Sequence, residues 1–306
     1  MPPSVEHLSH PFGAPLLIRS ASPELIAAVE AGLAQYPDLG LRAPMTWDVH
    51  VTGDEPGDPA WPKVTAVDRA DELVVRCGSA EVRLRHADGA ATFAVPRSLC
   101  SVADAMALLA ESVVTSYHVR GGRLQAVHSA LVVRDGVGLL LRGPSGAGKS
   151  TLTYACSRRG MTVVSDDWTY AATGGPSGRL AGYPWRIMLT EPAAARFAEL
   201  TRVPTVPHTS DEGRKVRITP PVDGRSVVAD VAAVVLLDPD QRLALEPADA
   251  DEADRRFWAA ALPSERDHLS TVWVAGLLDR PVYVLRRGPD PDTAAALLDE
   301  LAISLR

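Results

Sequence analysis

The 306-residue sequence holds only three cysteines, Cys77, Cys100 and Cys156, each isolated and none in a C-x-x-C pair. That excludes a disulfide framework and a cysteine zinc site. There is no excess of basic charge: 31 Lys and Arg stand against 38 Asp and Glu, a formal net charge of −7. A general nucleic-acid or anionic-membrane surface needs the opposite sign, so neither nucleic acid nor membrane is expected as a partner. No stretch approaches the roughly 20 uncharged apolar residues of a membrane span. The start, Met1-Pro2-Pro3-Ser4, lacks the basic segment and apolar core of a secretory signal. No repeats or low-complexity tracts occur. A cytoplasmic protein is expected, and 46% hydrophobic residues supply ample core for one large or two ordinary domains.

What the chain does have is Gly143-Pro144-Ser145-Gly146-Ala147-Gly148-Lys149-Ser150, a match to G-x-x-x-x-G-K-[ST]. Glycines let the backbone curl so that successive N–H groups face one concavity at a helix N-terminus, where phosphates bind. Gly143, Ser145, Gly146, Ala147, Gly148, Lys149, Ser150 and Thr151 are therefore the expected nucleotide contacts. Lys149 adds charge on the β- and γ-phosphates as an exposed loop residue, and the Ser150 hydroxyl ligates the accompanying Mg²⁺. The motif needs a strand before it and a helix after it. Val137 to Leu141 is a short apolar run that reads as a buried strand, and Ser150 to Arg159 reads as a helix stopped by Gly160.

The rest of the chain is read around that motif. Pro23 to Leu33 predicts a helix, with Ser22 as cap and Pro23 at its first position. Gly53 to Pro62 reads as a loop. Glu72 to Arg76, Glu81 to Arg85 and Ala91 to Val95 predict strands, giving a small α+β region without visible chemistry. A helix is expected from Ser101 to His118, capped by Ser98 or Ser101, with the domain boundary at its end. Residues 1–118 then form the small α+β domain and 119–306 the domain that carries the motif. Asp135-Gly136 between Ala130–Arg134 and Val137–Arg142 predicts a hairpin with a type I′ turn. Met161 to Ser165 follows as a strand ending on Asp166-Asp167, and His128 is placed at the opening of the strand before the hairpin. Gly174 to Gly182 reads as a loop, Ile187 to Leu189 as a strand, and Glu191 to Leu200 as a helix. Pro204, Pro207, Gly213 and Arg214-Lys215 mark a candidate mobile segment. Val227 to Leu237 is the longest strand; Ala253–Ala261 and Asp290–Ile303 read as helices and Val282–Arg286 as a last strand. Asp238-Pro239 reads as a turn rather than a metal-binding acid. Arg186 and Lys215 read mainly as solvent-facing charges, with a phosphate clamp as the lesser reading. Trp168 is left open between packing and lining an acceptor pocket.

Asp166-Asp167 at a strand end beside a phosphate loop is where a nucleotide enzyme places a base or a metal ligand. The three stretches Val127-His128-Ser129-Ala130, GPSGAGKS at 143–150 and Val164-Ser165-Asp166-Asp167, in that order and spacing, resemble the C-terminal domain of the HPr kinase/phosphorylase family and its HPr-kinase-like relatives. The resemblance spans roughly residues 119–290. It implies an α/β fold with a P-loop kinase core of HPr-kinase type behind the small α+β domain. It also implies that Asp166 is the general base toward a serine hydroxyl, that Asp167 lies near the metal, and that His128 organises the acidic pair. The family's glutamate-containing and glycine-rich C-terminal signatures are not recognisable; Glu191 and Lys215 fall in roughly the corresponding region, and Glu191 is expected as a further metal ligand. ATP and Mg²⁺ are the implied cofactors, and a homo-oligomer is implied by analogy.

The expected activity is an ATP-dependent kinase with Asp166, His128 and Lys149 as catalytic residues. The N-terminal region does not resemble the family's regulatory domain. The acceptor therefore stays open between a serine of a peptide or protein and a small hydroxylated metabolite. Two further readings stand beside it: a nucleotide-binding regulatory protein with little turnover, and a bifunctional kinase/phosphorylase.

Overall fold

A computed structural model describes residues 4–34, 36–53, 64–100, 103–184, 186–207, 214–221, 227–240 and 242–306. The chain divides into two compact units, Met1–Leu124 with Val206–Arg214, and Gln125–Thr205 with Lys215–Arg306. The expected Ser101 cap, most of the 53–62 tract and Gly213 lie outside the described residues.

In the first unit β1 (Val5–Ser9), β2 (Leu16–Ser20), β3 (Met45–Thr52), β4 (Val64–Asp68), β5 (Glu72–Cys77), β6 (Ala80–Arg85) and β7 (Ala90–Pro96) form one sheet of order β1-β2-β3-β7-β6-β5-β4. Among the described residues three helices accompany it: α1 (Pro23–Leu33), α2 (Arg97–Cys100) and α3 (Ala103–Arg120). Helix α1 begins as its sequence predicts, with the Ser22 hydroxyl accepting from Leu25 N–H and Pro23 at the first position. Gly32 lets α1 approach α3 closely, because a Cβ there would stand 2.5 Å from Ala107 Cα. Buried Trp47 and Phe93, ring centroids 4.8 Å apart, centre the core. The first 60 residues, mixed in signal as sequence, supply three strands of this sheet.

The second unit contains β8 (Leu124–Arg134, from Gln125 onward), β9 (Val137–Arg142), β10 (Thr162–Ser165), β11 (Trp168–Ala172), β12 (Arg179–Gly182), β13 (Ile187–Thr190), the first residue of β14 (Thr205–Pro207), β15 (Arg214–Ile218, from Lys215 onward), β16 (Val228–Asp238), β17 (Leu243–Pro247) and β18 (Val282–Arg287). Its helices are α4 (Lys149–Arg158), α5 (Glu191–Ala194), α6 (Ala250–Ala259), α7 (Pro263–His268), α8 (Thr271–Leu278) and α9 (Pro291–Ser304). The predicted hairpin joins β8 to β9. Asp135 and Gly136 both take positive φ, 48° and 86°, as a type I′ turn demands. The main sheet is sandwiched. Leu139 and Leu141 pack with Leu152 and Leu298 on one face, and Leu140 packs with Phe257 and Trp273 on the other. Every residue of β9 is buried, which is why it reads as an uninterrupted apolar run.

Four expectations needed correction. The second half of the 174–182 loop is strand β12, paired with β11 and β16, because Leu180 and Ala181 are buried there. The 191–200 helix is only the single turn α5 followed by a 3₁₀ turn at Ala198–Leu200. Phe197 breaks it by taking an extended backbone that seats its ring edge-on against Tyr154, 4.7 Å away. Arg214 and Lys215 belong to β15, which pairs antiparallel with β13 from Ile187–Ile218 to Thr190–Lys215. His128 does not open its strand, since β8 starts four residues earlier at Leu124.

Candidate phosphate-binding and acidic site

Strand direction decides what meets at the edge of the second unit's sheet. β9 and β10 both run antiparallel to β8 and hence parallel to each other, while β9, β16 and β18 pair in parallel. The chain therefore leaves β10 at Asp166, β9 at Gly143, β16 at Asp238 and β18 at Arg287 along one edge. β8 runs the other way, and Ser129 is opposite Arg142, so His128 stands at that same edge. Ligands of open α/β sheets bind outside such carboxyl ends.

From Gly143 the chain turns, with Ala147 N–H donating to Pro144 O at 3.1 Å. Gly146 and Gly148 take φ of 79° and 98°, and Lys149 then opens α4. A Cβ on Gly146 would meet nothing within 4 Å, so the loop is open at its tip. Pro144, Ser145 and Gly146 are exposed, Gly143 and Ala147 are buried, and Gly148, Ser150 and Thr151 are half-buried. Left-handed glycines ahead of a helix N-terminus curl the backbone in the way that lets successive N–H groups face one side.

Lys149 differs from its expected exposure. It is 6% exposed, and its ammonium donates to the loop's own carbonyls, Gly143 O at 2.8 Å and Pro144 O at 3.3 Å. Burial lowers its pKa to about 8, against the upward pull of Asp167, Glu265 and Asp166.

The two acids lie in opposite environments. Asp166 is 6% exposed and its Oδ2 accepts Met188 N–H at 2.9 Å. Burial, then the charge of Asp167, push its carboxyl up to about 7, even though Met188 N–H, Arg186 and the Ser150 hydroxyl all favour the ionised form. The side chain of Asp167 is 65% exposed, and His128 Nε2 lies 3.3 Å from its Oδ1. Surrounding protein atoms desolvate Asp167, but the hydrogen bond and charge of His128, with Arg186 and Lys149, outweigh this and hold the carboxyl below its usual value. The structure thus gathers Asp166, Asp167, His128, Lys149 and Ser150. It puts the Ser150 hydroxyl on Asp166 rather than beside Asp167 alone. Arg186, read mainly as solvent-facing, acts on both carboxyls and also stacks 5.0 Å from the Tyr183 ring.

Other candidates fall elsewhere. Glu191 is exposed at the start of α5. Among the described residues no group of three His, Cys, Asp or Glu side chains forms a metal cage. The remaining donors, the exposed Asp167 carboxylate and the Ser150 hydroxyl, fit Mg²⁺ arriving with a nucleotide, because Mg²⁺ takes one or two protein oxygens alongside phosphates and waters. Asp238 accepts from Arg256 at 3.0 Å, in keeping with a structural role. Trp168 packs 5.5 Å from the His128 ring.

Sequence reasoning missed a buried ion pair behind His128. Arg142, the last residue of β9, and Glu265 on α7 have side chains 0% and 1% exposed, with Arg142 Nη1 2.8 Å from Glu265 Oε1. Glu265 Oε1 also accepts His128 N–H at 2.9 Å, and Arg142 Nη1 donates to His128 O at 3.3 Å. The pair thus takes the place of a neighbouring strand for both backbone groups of His128. On the adjacent residue, Ser129 N–H donates to Asp167 O at 2.9 Å, tying β8 to the acids. The one local signal was a charged residue closing the otherwise apolar run VGLLLR.

No family model and no curated protein matches the chain. Among solved structures it is similar to the Hpr(Ser) kinase/phosphatase from Coxiella burnetii, at 16% identity over 59% of this chain and 88% of that one, with a TM-score of 0.31. A likeness of that size records a distant structural relationship and carries no argument about chemistry.

Proposed function

We propose that this chain is an ATP-dependent kinase with a P-loop core of HPr-kinase type that phosphorylates a hydroxyl group. The observation that carries the reading is Asp166, a nearly buried carboxyl raised to about 7 beside the phosphate-loop motif. A general base works best when its pKa lies near the operating pH. Asp166 takes the acceptor's proton, while Lys149 leaves the loop carbonyls for the nucleotide's β- and γ-phosphates and the loop amides hold the phosphate chain. Asp167, kept ionised and exposed, and Ser150 hold Mg²⁺, which neutralises charge on the transferring phosphoryl group. His128 orients Asp167. The acceptor is a serine of a peptide or protein, or a small hydroxylated metabolite.

The test is transfer of radiolabelled γ-phosphate from ATP into candidate peptides and metabolite pools. Asp166→Asn keeps the shape and the bond from Met188 but accepts no proton. Transfer is expected to fall roughly 10²–10⁴-fold with ATP affinity retained, the usual share of a positioned base. An Asp166→Asn protein that transfers phosphate as fast as the parent refutes the mechanism. Tight ATP binding by a parent chain that turns over no acceptor and hydrolyses no ATP favours the regulatory reading instead.

A further inference from the structure

Arg287, the last residue of β18, has no role in the account above. Its Nε lies 3.2 Å and its Cζ 3.6 Å from where a Cβ on Gly148 would stand, so the guanidinium rests against the glycine just before Lys149. Arg287 Nε is buried and has no hydrogen-bond partner. Among the described residues no carboxylate forms an ion pair with Arg287 or with Arg196, whose own Nη1 donates to Pro289 O at 2.6 Å, two residues beyond Arg287. Burial, then the like charge of Arg196, lower the pKa of Arg287. A guanidinium with a buried, unused donor, set beside a second cation and without a counter-ion, is arranged for an anion that comes from outside the chain.

The strand order says which part of that anion. Asp166 leaves β10, which lies across β8 from β9, whereas Arg287 leaves β18, which lies across β16 from β9. The acids and Arg287 therefore flank the phosphate loop on opposite sides. A phosphate chain lying over the loop with its reacting end toward Asp166 has its other end toward Arg287.

We infer that Arg287 is a second anion anchor, which grips the α- and β-phosphates of the nucleotide on the flank away from Asp166. The inference rests on the nucleotide-binding reading given above. Gly148 serves it twice: its left-handed backbone shapes the loop, and its missing side chain leaves room for the guanidinium.

The experiment is calorimetric titration of the full chain with ATP, ADP and inorganic pyrophosphate, for the parent, Arg287→Gln and Arg287→Lys. Loss of one charge-assisted contact to phosphate is expected to weaken all three ligands about ten- to hundredfold in Arg287→Gln. Arg287→Lys, which keeps a charge without the fork, should recover part of the loss, and thermal melts should show both variants folded. Unchanged affinity for ADP and pyrophosphate in folded Arg287→Gln overturns the inference while ATP binding by the parent leaves the nucleotide reading standing. A loss confined to ATP places the contact on the γ-phosphate, and a loss that spares pyrophosphate places it on the nucleoside; either result overturns the assignment. A parent chain that binds none of the three ligands defeats the nucleotide reading and this inference together.

Discussion

Glu265→Ala is the perturbation whose size the structure fixes best. The side chain holds three donors at once: Arg142 Nη1 at 2.8 Å and His128 N–H at 2.9 Å on Oε1, and Leu262 N–H at 2.7 Å on Oε2. Neither side chain of the ion pair is more than 1% exposed. Truncation leaves a buried guanidinium without its counter-charge, and breaking such a pair costs about 3–5 kcal/mol. The two stranded backbone N–H groups push the cost toward the upper end of that range. In a unit of this size the melting temperature should fall by roughly 6–20 °C. The double variant Arg142→Met/Glu265→Leu separates the charge from the packing. With both ions gone no buried charge is orphaned, so the part of the loss due to the unpaired guanidinium should return, as when buried pairs are replaced by apolar residues of similar volume, while the N–H groups of His128 and Leu262 stay without their side-chain acceptor. His128 has then lost the side-chain partners of its N–H and C=O, so phosphoryl transfer should stay low in a protein that melts well above Glu265→Ala. The assays are thermal melts, urea titrations and γ-phosphate transfer on all three proteins. A Glu265→Ala protein within about 1 kcal/mol of the parent would show that the pair is not desolvated as described, and full transfer by the double variant would dismiss its hold on His128.

Three further outcomes follow from the same site. Lys149→Met removes a charge that burial already disfavours, with a pKa lowered to about 8; the variant should fold with stability at pH 7 equal to or above the parent, yet bind ATP about ten- to hundredfold more weakly, and unchanged ATP affinity would discard the phosphate-loop assignment. For Asp166 burial pushes the folded carboxyl up to about 7 from an ordinary 3.8, so the folded state binds the extra proton between those limits. In nucleotide- and metal-free protein this contribution makes stability decline as pH rises from about 4 to 7, and Asp166→Asn should flatten the decline and be the more stable protein at pH 8, by on the order of 3 kcal/mol; urea titrations at pH 5 and pH 8 that give parallel losses for both proteins would contradict it. Asp167→Asn should raise the Mg²⁺ concentration needed for half-maximal transfer and be partly rescued by excess Mg²⁺, in contrast to Asp166→Asn, and identical Mg²⁺ curves for parent and Asp167→Asn would remove Asp167 from the metal.

Where a local rule decides the conformation, the sequence carried it. The Asp135-Gly136 turn needs positive φ at two positions, the α1 cap needs Ser22 before Pro23, and β9 needs six buried residues; each left its mark within a few positions. The first 60 residues failed that test because β1, β2 and β3 are separated by proline-bearing connections and β1 buries only its last residue, Ser9, so no apolar pattern marks it. The 191–200 segment failed for the opposite reason. Its composition favours helix, but burying Phe197 against Tyr154, more than forty positions earlier, overrides local propensity. The ion pair was illegible for a related cause: Glu265 acts on His128 from 137 residues away, and nothing around Pro263 signals a destination. Arg287 likewise reaches Gly148 only because β18 joins the sheet beyond β16.

Asp166 and Asp167 show what kind of information the sequence could not hold. As letters they are the same acid twice, and either could be the base or the metal ligand. Both occupy the bend between β10 and β11, where the chain reverses. Here one carboxyl turns toward Met188 N–H and the Ser150 hydroxyl in the interior, and the other turns out toward His128. Burial makes the first reluctant to ionise, and the imidazole makes the second ready to. Only a carboxylate whose proton affinity lies near neutrality both accepts a proton in the reaction and releases it afterward at pH 7. A cation, by contrast, selects the carboxylate that stays charged and open to the cleft. In the mechanism proposed above, the division of labour between two identical neighbours therefore follows from which way each faces. That direction was settled by β10 ending at Ser165, one residue before the pair.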